Sequence, residues 1–106
     1  MDKKIDIILI SLILLLMIGT MVGTVNAQAQ QVSIYVYDSR GNPASGAYIT
    51  VYQGANEINH HYSDSSGTWT TELNLYTRYI ISASLGGQYG DWKGELKGSR
   101  ISIYMQ

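Results

Sequence analysis

From Val32 onward, apolar residues recur at every second position of the chain. Val32, Ile34 and Val36 alternate with polar or aromatic residues, and the alternation restarts at Ala47 after a segment rich in turn formers. Neighbouring side chains on a β-strand point to opposite faces, so this period predicts strands with one buried side and one solvent-facing side. No helical period follows residue 27. We therefore predict an all-β domain, which excludes parallel α/β folds with their crossover helices.

Turn-forming segments divide this part of the chain into seven short strands. The alternation predicts strands over residues 32–37, 47–52, 57–63, 68–73, 78–84, 88–96 and 100–105. Such a pattern is typical of a seven-stranded antiparallel Greek-key sandwich, with a small closed barrel as the alternative. The expected core consists of the inward-facing side chains Val32, Ile34, Val36, Ile49, Val51, Trp69, Leu73, Tyr79, Ile81, Ile101 and Ile103.

The N-terminal segment has the pattern of an export signal. Lys3 and Lys4 precede an uncharged run over residues 7–25, and small residues satisfy a signal peptidase before cuts after Ala27 or Ala29. We predict a hydrophobic signal helix, cleaved as residues 1–27, then a short linker over 28–31 and the domain over 32–106. An uncleaved membrane anchor ending at about residue 25 is the alternative, since helix rises about 1.5 Å per residue and the hydrocarbon layer is roughly 30 Å thick. Either way the domain is secreted or held in the cell envelope.

Three stretches of sequence carry a family resemblance. They are V-x-I-x-V-x-D-x-x-G-x-P-x-x-G-A-x-I-x-V over residues 32–51, D-S-S-G-x-W over 64–69, and L-x(5)-Y-x-I-x-A over 73–83. Together they resemble the carboxypeptidase regulatory-like domain, a transthyretin-like sandwich related to the Cna B-type adhesin repeats. Thr77 and Arg78 stand where the family usually has Pro-Gly before its tyrosine. The resemblance implies a non-catalytic accessory module of the kind found on exported enzymes, transporters and adhesins.

Charge and residue content exclude several functions. Eight acidic residues face seven basic ones, so the chain lacks the basic character of a nucleic-acid binder, and the absence of cysteine excludes thiol chemistry. His60 and His61 are adjacent, so on a strand they point apart and cannot chelate one ion together. Asp38 and Asp64 each open a D-S-x-G turn, where a carboxylate caps backbone N–H groups more readily than it binds calcium. We expect no enzyme activity, no cofactor and no metal.

The tyrosines are the most informative candidates for a binding surface. The chain has nine tyrosines and no phenylalanine. Five of them lie opposite the aliphatic side of their strands and should face out of the core: Tyr35, Tyr37, Tyr48, Tyr52 and Tyr104. Tyrosine is a good strand former that keeps its hydroxyl in water, which explains such residues without a ligand. The functional alternative is an aromatic face that contacts an extracellular protein or stacks on a glycan, whereas the membrane is contacted only through an uncleaved N-terminal segment.

Overall fold

In the computed structural model, which describes residues 28–106, the chain forms seven strands in two packed sheets. The strands are β1 (Ala29–Tyr37), β2 (Tyr48–Gln53), β3 (Asn56–Tyr62), β4 (Thr68–Asn74), β5 (Arg78–Leu85), β6 (Gln88–Glu95) and β7 (Arg100–Tyr104). The prediction of an all-β domain with two layers is confirmed. The expected N-terminal signal or anchor helix lies outside the described residues. Within residues 28–106 there is no helix that could cross a membrane.

One strand pair corrects the prediction of a wholly antiparallel sandwich. The three-stranded sheet has the order β4-β1-β7, and the four-stranded sheet has the order β3-β2-β5-β6. β1 runs parallel to β7, whereas every other pair is antiparallel. When the chain reverses at each connection, all odd-numbered strands run in the same direction. The first and last strands must therefore be parallel wherever they lie side by side.

β1 begins earlier than the alternation predicts. Residues 29–31 pair with residues 72–74 of β4, and the Leu75 N–H donates to the Gln28 carbonyl at 2.8 Å. Three of the four residues that we interpreted as a linker are thus part of β1. Their side chains are polar or small, so the period of two gives no sign of the strand here.

The core lies between the sheets and matches the predicted facing of the strands. Every side chain expected there is buried, except that Trp69 is half-buried and packs against the cluster. The core is completed by Ala44 and Ala47 from the loop after β1, by Ala83 of β5, and by Leu96 and Met105 from the segments after β6 and β7. The buried Tyr79 hydroxyl accepts the N–H of Asn74 at 2.9 Å, so its polar group is satisfied inside the core.

The two D-S-x-G turns share one hydrogen-bonding pattern. The Asp64 Oδ1 accepts the backbone N–H groups of Ser66 and Thr68 at 2.9 and 3.0 Å and the Ser66 hydroxyl at 2.6 Å. These bonds, from the Ser66 hydroxyl first and then from the Thr68 and Ser66 N–H groups, lower the pKa of Asp64. The Asp38 Oδ1 likewise accepts the N–H groups two and four residues ahead. Both carboxylates cap turns, as the sequence indicates.

Candidate functional site

The five tyrosines predicted to form one surface lie on two opposite faces of the molecule. Tyr35, Tyr37 and Tyr104 belong to the three-stranded sheet, whereas Tyr48 and Tyr52 belong to the four-stranded sheet. Each side chain lies on the outer side of its own sheet, because its strand neighbours fill the core. Alternation within a strand distinguishes inside from outside but does not assign a strand to a sheet. The single predicted surface is therefore two surfaces.

On the three-stranded sheet the tyrosine rings contact one another and an arginine side chain. Tyr37 and Tyr104 stack with ring centroids 4.9 Å apart and planes 15° apart. The Arg100 guanidinium lies 4.1 Å from the centre of the Tyr35 ring, and its Nη2 donates to the Tyr37 hydroxyl at 3.4 Å. A cation over an aromatic face is a stabilising arrangement in itself. These rings therefore have intramolecular partners that explain them without a ligand.

On the four-stranded sheet a line of side chains crosses all four strands on the outer face. Tyr48 is directly opposite Tyr62 on β3 and Ser84 on β5, and Ser84 is opposite Tyr89 on β6. We name these four residues the tyrosine row. Strands in a sheet lie about 4.7–4.9 Å apart, so the row is roughly 14 Å long.

The exposed rings of the tyrosine row lie at its two ends. Tyr62 and Tyr89 expose 60% and 56% of their surface, whereas Tyr48 is half-buried between its neighbours. Tyr48 lies against Tyr62 with centroids 5.2 Å apart and planes tilted by 56°, and against His60 at 5.7 Å. Two accessible rings thus flank a supported central ring and a serine hydroxyl.

Two exposed pairs of ionisable side chains lie beside the tyrosine row. His60 Nδ1 lies 3.8 Å from a Glu57 carboxylate oxygen, and Lys93 Nζ lies 3.6 Å from an Asp91 carboxylate oxygen. Both pairs are exposed, so water screens their charges, and the His60–Glu57 contact is an ion pair only when the imidazole is protonated. A contact made on this face should therefore depend on apolar area and hydrogen bonds more than on charge.

A hollow of about 320 Å³ opens at the end of the same sheet, where β2 ends. It is lined by Gly54, Arg78, Tyr79, Ile80, Lys93 and Gly94. Its two cations face acids, since Arg78 is opposite Glu95 in register and Lys93 pairs with Asp91. The hollow therefore lacks the unbalanced positive charge that would select an anion.

At the β3 edge of the four-stranded sheet, two features oppose the addition of another strand. Ser63 donates its N–H to Ala47, so in the alternating antiparallel pattern the N–H groups of Tyr62 and His60 point away from β2. The Asn59 side chain already accepts the His60 N–H at 2.9 Å. The register also shifts between Val51 and Tyr52, as at a bulge, and bulges protect edges from strand addition. These features favour the outer face over the β3 edge as a surface for a partner.

Three residues of the tyrosine row, Tyr62, Ser84 and Tyr89, are not among the site residues that the sequence predicts. Tyr89 is three residues before Trp92, so the two side chains lie on opposite faces of β6. Because Trp92 is half-buried and packs against the core, the sequence of β6 did contain a pattern that places Tyr89 outside. No such pattern identifies Tyr62, because all seven residues of β3 are exposed and the register shift in its pairing with β2 breaks the period of two. Among residues 28–106, no group of three or more His, Cys, Asp or Glu side chains comes together.

The chain matches no protein-family model and no curated protein.

Proposed function

We propose that the chain is a non-catalytic β-sandwich module, secreted or held in the cell envelope, that contacts a protein or a surface polymer through the tyrosine row. We further propose that it is a Greek-key domain of the carboxypeptidase regulatory-like kind. Two sheets with seven strands and a buried Tyr79 on β5 agree with what that resemblance implies. Export is supported by the positively charged start, the uncharged run and the small residues before each cut.

The observation that carries the proposal is the pair of exposed rings on the four-stranded sheet. Tyr62 and Tyr89 are more than half exposed at the two ends of one register line. Tyrosine supplies rigid, amphipathic contact area and is enriched among the residues that dominate binding energy. The three-stranded sheet supports a contact less well, because its rings already bind Arg100 and one another.

A non-catalytic role is supported by the partners of both histidines. His60 pairs with Glu57, and His61 packs edge-on against Trp69 with centroids 5.7 Å apart. Neither Glu57 nor Trp69 is a serine or threonine that an imidazole could activate as a nucleophile.

A carbohydrate-binding module is the alternative, and it would use the same row. Aromatic rings combined with the Ser84 hydroxyl and the His60 imidazole offer both stacking and hydrogen bonding to a sugar. A glycan array separates the two functions: retention on purified glycans supports the carbohydrate module, and retention only on a proteinaceous envelope fraction supports protein contact.

The double variant Tyr62→Ser/Tyr89→Ser should lose the contact and keep the fold. Removing two exposed aromatic anchors should weaken binding about tenfold or more, since a single anchor is often worth over about 1 kcal/mol. Both side chains are exposed, so the melting temperature should change little. The measurement is retention of the purified domain on envelope polysaccharide and protein fractions.

Tyr76→Ser is the matched control for that variant. Tyr76 lies on the loop between β4 and β5 and is 66% exposed, so replacing it removes one ring of comparable exposure away from the row. It should keep wild-type retention. Equal losses in Tyr76→Ser and in the double variant, or full retention by the double variant, would refute the proposed surface.

A further inference from the structure

Both candidate signal-peptidase cuts leave glutamine as the new first residue. A cut after Ala27 exposes Gln28, and a cut after Ala29 exposes Gln30. We propose that the mature domain begins at Gln28 and that this residue cyclises to pyroglutamate. The proposal rests on the proposed export of the chain, because only processing creates the free glutamine amine.

The reaction needs no partner beyond the residue itself. The α-amino nitrogen attacks the side-chain carbonyl carbon Cδ, the new N–Cδ bond closes a five-membered lactam, and the Cδ–Nε2 bond breaks. The proton lost by the amine leaves with the amide nitrogen as ammonia, and nothing is oxidised or reduced. Holding nucleophile and electrophile in one residue gives the high effective concentration of an intramolecular step. An α-amine has a pKa of about 7.7–8.0, so a useful fraction is neutral near physiological pH.

The position of Gln28 suits this reaction. It is exposed and lies just before the first residue of β1. Within residues 28–106 its one hydrogen bond is made by its carbonyl oxygen, which accepts the Leu75 N–H at 2.8 Å and takes no part in ring closure. The lactam can therefore form while this residue keeps its place beside β4.

Gln30 suits the reaction less well. It is half-buried within β1 opposite Leu73, and its Nε2 donates to the Gln31 carbonyl at 3.2 Å. A chain starting at Gln30 would also lack the pairing of Ala29 with Asn74. We therefore assign the modification to Gln28.

The lactam would protect the central strand of the three-stranded sheet. Aminopeptidases require a free α-amine, which the lactam removes together with its positive charge. Stepwise trimming from Gln28 would first remove the bond to Leu75 and then the Ala29 pairing that ties β1 to β4. A closed ring at the first residue prevents that loss.

Intact and peptide mass spectrometry of the exported protein tests the proposal. We expect the mass of residues 28–106 less one ammonia, and no shortening after treatment with an aminopeptidase. Gln28→Ala should have a free amine and be trimmed. Gln30→Ala is the matched control, because it should stay blocked if the first residue is Gln28.

The outcomes separate this inference from the proposed function. A cleaved chain with an uncyclised Gln28, or one that starts at Gln30, overturns the inference and leaves export standing. A chain that starts at Met1 overturns both the inference and the proposed processing.

Discussion

Replacing Ile81 by alanine is expected to lower the free energy of unfolding by roughly 2–5 kcal/mol, the usual cost of truncating a fully buried isoleucine. Ile81 has no exposed surface and lies on β5, between Val51 of β2 and Trp92 of β6. The truncation leaves a cavity at the centre of the four-stranded sheet. A small domain has only about 5–15 kcal/mol of stability in total, so much of it would be lost.

Ile80→Ala is the matched control for this prediction. Ile80 is the preceding residue on β5 and is half-buried on the outer face. Its truncation should cost clearly less in the same denaturant titration. Equal losses of unfolding free energy in the two variants would contradict the assignment of Ile81 to the inner face of β5 and Ile80 to its outer face.

Replacing Gly67 by alanine should destabilise the domain by about 2–5 kcal/mol, the sum of a left-handed backbone penalty and overpacking. Gly67 has a φ of +77°, and a Cβ there would lie 2.8 Å from the Ala44 nitrogen and 2.9 Å from the Val36 carbonyl oxygen. Both are backbone atoms that bond each other, and Val36 also donates to the Gly67 carbonyl. None of them can move without breaking the connection between β1 and the Asp64 turn.

Gly41→Ala separates the backbone penalty from the overpacking. Gly41 also has a positive φ, of +83°, but a Cβ there meets no atom within 4 Å. It should cost only the backbone penalty, about 1–2 kcal/mol. Thermal or denaturant unfolding of both variants measures the difference. A Gly67→Ala variant no less stable than Gly41→Ala would contradict the close packing at this turn.

The period of two predicts what lies inside each strand but not how strands are arranged. It placed Ile34, Val51 and Ile81 in the core, because alternation is a local property of the backbone. Which strands pair, and in which sheet, depends on contacts between distant segments. The alternation within one strand does not determine which strand lies beside it. The parallel pairing of β1 with β7 and the separation of Tyr35 from Tyr48 were therefore not predicted.

The candidate site was predicted only in part for the same reason. Tyr48 was identified because β2 alternates clearly, whereas Tyr62 lies in a fully exposed edge strand with no apolar side to set its facing. Tyr89 becomes part of the row only through the pairing of β6 with β5. A surface that crosses four strands is visible only once the register of all four is known.

Chemical footprinting of tyrosines in the wild-type domain tests the central claim most directly. Four tyrosines have similar exposures: Tyr62 (60%), Tyr89 (56%), Tyr104 (61%) and Tyr76 (66%). The first two lie on the tyrosine row, whereas Tyr104 is on the opposite sheet and Tyr76 is on a loop. With the partner or glycan bound, we expect Tyr62 and Tyr89 to be protected from modification and Tyr104 and Tyr76 to react as in the free domain. Protection of Tyr104 with Tyr62 and Tyr89 still reactive would contradict the account.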